Sequence, residues 1–151
     1  MKPRRPLAAL VLSVATLVLL AACGQPVPAE QQILDRLVAM TTALESGDID
    51  DFMAPVADDF IAGNAGLDRR SLGLLARRER LARSAIRVRR MATEVELIGD
   101  ERATASFQAL ATGGSGWLPD EGRLWQVDTG WRRDGGDWVL ISAEWSPLVG
   151  R

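Results

Sequence analysis

Histidine and tyrosine are absent from the 151-residue chain, and cysteine occurs once, at Cys23. A single cysteine excludes a disulfide within the chain, and the missing histidine removes the other common soft ligand, so neither a metal nor a cofactor is expected. Catalysis by a His-Asp pair, a His-activated nucleophile or a tyrosine oxyanion donor is excluded on the same grounds. Lysine occurs only at Lys2, so beyond Arg5 every basic side chain is an arginine. Aromatic residues are scarce at 5 %, and the five tryptophans (Trp117, Trp125, Trp131, Trp138 and Trp145) are confined to the last stretch of the chain.

One long apolar run is present. Lys2, Arg4 and Arg5 precede Leu7 to Ala22, which ends in Leu20-Ala21-Ala22-Cys23. The run falls short of the roughly 20 residues that a spanning helix needs. A basic head, an apolar core and small residues at a cut are the plan of a secretory signal. The closing four residues resemble the lipobox of bacterial lipoproteins. That resemblance implies cleavage before Cys23, a diacylglycerol on its sulfur and an acyl chain on its amine, and more than one chain is what stable anchoring requires. Gly24 follows where an aspartate would imply retention at the inner membrane, so the expected address is the periplasmic face of the outer membrane. The expected organisation is a signal peptide over 1–22, a lipidated linker over 23–29 and one domain over 30–151. After Cys23 there are 15 arginines against 20 acidic residues, a net charge of −5. An acidic protein in that compartment is not expected to bind nucleic acid.

Within the domain, Ile33, Leu34, Leu37, Val38, Met40 and Leu44 recur at helical spacing between Glu30 and Ser46. Gly47 suits the left-handed position after that helix, and Asp48 can cap a second, short one carrying Ile49, Phe52 and Met53. An extended piece from Asp59 to Ala62 and a Gly63–Gly66 loop lead to Asp68, the cap of a third helix running to about Arg83. From Ser84 the period changes to two: Ile86 and Val88, Val95 and Leu97, then Ala103, Ala105, Phe107 and Ala109. Gly99-Asp100 and Asp134-Gly135-Gly136-Asp137 read as hairpin turns, Gly113 to Gly122 as a longer loop, and Asp137 to Trp145 as the last strand. Helices followed by an antiparallel meander predict an α+β fold, with three helices over one face of a curved sheet.

Three segments carry a further resemblance: Ala43-Leu44-Glu45-Ser46-Gly47-Asp48 with Asp58-Asp59-Phe60, Val95 to Ala103, and Gly130 to Trp138. In order and spacing the chain resembles the nuclear transport factor 2 superfamily, with its ketosteroid isomerase and SnoaL-like branches. The resemblance implies a cone-shaped α+β fold with a pocket between sheet and helices. It does not fix the function, because the superfamily holds enzymes, ligand binders and interaction domains. The isomerase branch uses a tyrosine, which this chain lacks.

For an enzyme, carboxylate and arginine chemistry remains, and Asp59, Asp128 and Glu144 are the weak catalytic candidates. The favoured reading of Asp59 is a helix-to-strand turn residue, and that of Asp128 and Glu144 is strand residues facing water or pairing with an arginine. Between Asp68 and Arg90 nine arginines oppose two acids, whereas Glu30 to Phe60 holds eight acids and one arginine. Helical projection puts Arg69, Arg70, Arg77, Arg80 and Arg83 on one side of the third helix and Leu67, Leu74, Leu75, Leu81 and Ala82 on the other. That side reads either as a solvated face or as one attracted to anionic lipid. Arg78 projects into the apolar side, either paired with a strand carboxylate or open to an anionic ligand. Trp117, in a glycine-rich loop, and Trp125 are the expected contact residues. The expectation is a lipid-anchored periplasmic module that binds a small molecule or an envelope protein without catalysis. The alternatives are a SnoaL-like enzyme using a strand carboxylate and a structural homodimer.

Overall fold

In a computed structural model that describes residues 26–83, 85–114 and 122–148, the chain runs helix, helix, strand, strand, helix and then four long strands. Helix α1 spans Ala29–Ser46 and buries Ile33, Leu37, Met40 and Ala43, the stripe that the helical period requires. Gly47 ends it at φ 87°, and its N–H donates to the Ala43 carbonyl. A side chain there would be strained by the backbone and would meet the Arg80 guanidinium, 2.6 Å from the added carbon. Asp48 caps helix α2, Ile49–Met53, by accepting from the Asp51 amide. Strand β1 is Val56–Ala62 and β2 is the two-residue Leu67–Asp68. Helix α3, Arg69–Ala82, starts where the Asp68 carboxylate accepts from the Ser71 amide at 2.7 Å.

The remaining strands are β3 (Ala85–Ile98), β4 (Arg102–Gly114), β5 (Arg123–Asp134) and β6 (Asp137–Pro147). They form one six-stranded sheet in the order β2-β1-β6-β5-β4-β3. The meander from β3 to β6 is antiparallel, as its hairpin turns require. β1 joins β6 in parallel, which short hairpins cannot produce, so the sheet is not antiparallel throughout. The β3–β4 register slips between Met91 and Glu94, and Ala92 there takes φ 48°, a bulge within one continuous strand that carries both the Ile86-Val88 and the Val95-Leu97 alternations. A second slip lies between Gly130 and Trp131. Bulges bend and twist the strands that carry them.

The core lies between the sheet and the helices. Trp131, Trp138, Phe60 and Ile33 are its largest fully buried side chains. Burying each large apolar side chain is worth about 1.5–3 kcal/mol. Ala103, Ala105 and Ala109 on β4 are buried in the same cluster, and their small size leaves volume for the large rings. Thr129, the one buried polar residue among those described, donates to the Ala105 carbonyl and accepts from the Trp131 indole N–H at 2.9 Å.

Helix α3 departs from its projected orientation. Its core side is Gly73 and Ala76, with Leu72 and Leu75 half-buried, while Leu74 and Leu81 are 55 % and 88 % exposed. Arg78 is therefore not turned toward the sheet: its side chain is 74 % exposed and pairs with Glu79 at 3.2 Å. Gly73 lies over Met53, where small residues let the helix come close. A projection weighted by large apolar side chains follows the leucines and misses such a strip.

Candidate functional site

A cleft of about 640 Å³ opens between the helices and the end of the sheet formed by β3, β4 and β5. The helices contribute Leu44, Phe52, Leu72 and Leu75 to its wall, and the strands contribute Ile86, Val88, Ala111 and Trp125. These residues reach one cavity because α1 and α2 end beside α3, while inward positions on three neighbouring strands share one face. Glu79, Arg83 and Arg123 supply its charged groups.

Glu79 accepts from Arg83 at 3.3 Å and from Arg78 at 3.2 Å. The hydrogen bond from Arg78, then that from Arg83, holds its carboxyl below the ordinary glutamate range. It stays ionised at neutral pH, and stabilising the carboxylate in this way makes it a weak proton acceptor. No second acid lines the cleft among the described residues. Arg83 lies across Gly113: a β-carbon at that glycine would come within 2.8 Å of the Arg83 Cδ. Arg123 stacks over the Trp125 ring, 5.7 Å from its centre.

Of the residues singled out in the sequence, Trp125 lines this cleft. Asp128 and Glu144 do not: they are cross-strand partners on the sheet face away from the helices, since Thr129 on β5 and Ala143 on β6 point to the core. Asp128 there accepts from the Ser106 hydroxyl. Asp59 is on β1, held by Arg132 through two hydrogen bonds of 2.7 and 3.1 Å. Arg78 touches the cleft only through Glu79. Trp117 and Cys23 lie outside the described residues. Glu79, Arg83 and Arg123 had not been singled out for the cleft. The signal for two of them was the spacing 72, 75/76, 79, 83, which puts one face of α3 against the sheet.

Two clefts of comparable volume, 630 and 610 Å³, flank the other side of α3. Their charges largely satisfy one another, Arg77 with Asp50 at 2.9 Å and Arg69 with Asp58 at 3.7 Å, and neither has an extended apolar wall. Among the described residues no helix is long and apolar enough to cross a membrane, and no group of three or more acidic, Cys or His side chains is placed to hold a metal.

The Asp59–Arg132 pair gives a pH prediction. The hydrogen bonds from Arg132 lower the Asp59 pKa, so its contribution to stability is present above the unfolded-state value and is lost as pH falls through the folded one. The variant Arg132→Met should remove that acid-side loss, so that the urea midpoints of variant and parent converge as pH falls through and below the ordinary aspartate range. Equal separation at every pH would refute it.

No protein-family model matches the chain, and no curated protein does. Solved structures match over most of it. An NTF2-like protein of unknown function from Pseudomonas putida is 23 % identical with a TM-score of 0.66, over 82 % of this chain and 89 % of that one. A proposed dehydratase of the NTF2-like family from Streptomyces avermitilis is 20 % identical with a TM-score of 0.68, over 83 % of this chain and 100 % of that one. Bd1075 of Bdellovibrio bacteriovorus is 16 % identical with a TM-score of 0.65, over 80 % of this chain, which spans only 41 % of the length of Bd1075. At such identities likeness speaks for architecture alone. The curved sheet, the helices that cover it and these neighbours agree on one architecture: the chain has the NTF2-like fold.

Proposed function

We propose that the protein is a lipoprotein anchored through Cys23 to the periplasmic face of the outer membrane, and that its domain binds a small molecule in the cleft without transforming it. The observation that carries the binding reading is the 640 Å³ cavity itself, within the range of about 300–1,000 Å³ usual for ligand sites and walled mainly by apolar side chains. Against catalysis stand the chemistry and position of the acids. Among the described residues the one carboxylate in the lining is held ionised by two arginines, and Asp128 and Glu144 lie on the opposite face of the sheet.

Native mass spectrometry of the mature chain, taken from its own envelope in mild detergent, tests both halves. The expected spectrum contains an acylated Cys23 at the N-terminus and a retained small molecule that is lost when Leu72→Trp fills the cleft. An unmodified N-terminus would overturn the anchor. A bare protein that also takes up no compound from an extract of the same cells would overturn the binding role and favour contacts with another protein.

A further inference from the structure

We infer that the cleft selects an apolar acid, a ligand with a hydrocarbon body and one carboxylate head, the head received by Arg123 and Arg83 at the mouth and the body lying along Trp125, Phe52 and Leu72. The inference rests on the binding reading and names the class of ligand. Its first support is the charge balance around the cavity. Among the described residues Glu79 carries the one negative charge in the lining, and it is already matched by Arg78 outside the cleft and Arg83 within it. Arg123 has no hydrogen-bonded or ion-paired carboxylate among the described residues, and its contact is the face of Trp125. A guanidinium stacked on an aromatic ring keeps its planar edge open to a carboxylate, which it can bind through two parallel hydrogen bonds. The second support is the mixed lining. Arginine from β5 and arginine from the end of α3 meet leucine, phenylalanine, isoleucine and tryptophan in one cavity, so one end favours an anion and the rest favours hydrocarbon. The third is the placement of Arg83, which packs across Gly113 where a side chain would displace it.

Asp120 and Glu121, which precede Arg123 in sequence, lie outside the described residues, so the measurement uses the full mature chain. Dodecanoate and 1-dodecanol share a body and differ in the head, and acetate has the head without the body. Calorimetric titration of all three into the parent and into Arg123→Gln and Arg123→Lys gives the test. The expected result is that dodecanoate binds more tightly than dodecanol and acetate does not bind. Arg123→Gln should weaken dodecanoate about ten-fold, the worth of one charge-assisted hydrogen bond, and leave dodecanol unchanged. Arg123→Lys should keep part of the difference. Equal binding of the two dodecyl probes by the parent overturns the selection for an acid and leaves the binding reading standing. A preference for dodecanoate that persists in Arg123→Gln overturns the assignment to Arg123. If no dodecyl probe binds while native spectra show another retained compound, the ligand class is wrong and the cleft is still a binding site.

Discussion

Trp131→Ala should lower the stability of the domain by about 3–5 kcal/mol, the loss usual for removing a large aromatic ring from a core. Against a total of about 5–15 kcal/mol for a domain of this kind, that is enough to unfold part of the population at ordinary temperature. The ring is fully buried, and its residue pairs with Ala103 on β4 and Leu140 on β6, so the hole would sit where three strands and the helices meet. Neighbouring alanines cannot extend to fill it, which places the loss toward the upper end. The change also removes the indole N–H that Thr129 accepts. Urea titration checks this result: the midpoint should fall with little change in slope. A midpoint shift worth less than about 1 kcal/mol would mean that the core collapses around the gap.

Glu45→Ala has the next largest expected effect, a loss of about 1–3 kcal/mol. Strand β3 is at the edge of the sheet, and an edge strand presents amides with no neighbouring strand. One of them, the half-buried Val88 N–H, donates to the Glu45 carboxylate of α1 at 2.7 Å. Truncation leaves that amide without its partner beside the cleft wall, where Val88 packs against the core. Glu45→Gln keeps an acceptor oxygen at the same reach and should recover most of the loss, which separates the hydrogen bond from generic helix effects. If the alanine and glutamine variants unfold at the same urea concentration, the bond to Val88 contributes nothing. Size-exclusion chromatography provides a second readout, because an uncapped edge is a template for pairing with another chain.

Much of the fold could be read from periodicity and caps. Asp48, Asp68 and Gly47 mark the helix boundaries through local hydrogen bonds and backbone geometry, and such signals act within a few residues. The turns Gly99-Asp100 and Asp134 to Asp137 were legible for the same reason. What stayed hidden depends on distant neighbours. The orientation of α3 follows from the close approach of Gly73 to Met53, and no apolar count weights a glycine. The parallel β1–β6 pair joins residues far apart in the chain. Asp59 was visible as a catalytic candidate or a turn residue, while its pairing with Arg132 is set by the sheet bringing β1 and β5 to either side of β6. The cleft drew one residue, Trp125, from the sequence reading. Its charged members, Glu79, Arg83 and Arg123, come from two elements whose meeting only the tertiary fold decides.

The parallel pairing of β1 with β6 also sets an order of events. Strands β3 and β4, and likewise β5 and β6, are joined by tight turns and can zip locally, each pair closing a small loop. Strand β1 must wait, because its neighbour in the sheet is the last strand of the chain, with Val56 opposite Leu140 and Ala62 opposite Ala143. Phe60, fully buried in the finished core, is consequently among the last large side chains to be enclosed. Contacts so distant in sequence slow folding. A chain made from its N-terminus therefore begins with a first half that cannot close by itself, and the final strand, once delivered, completes the core.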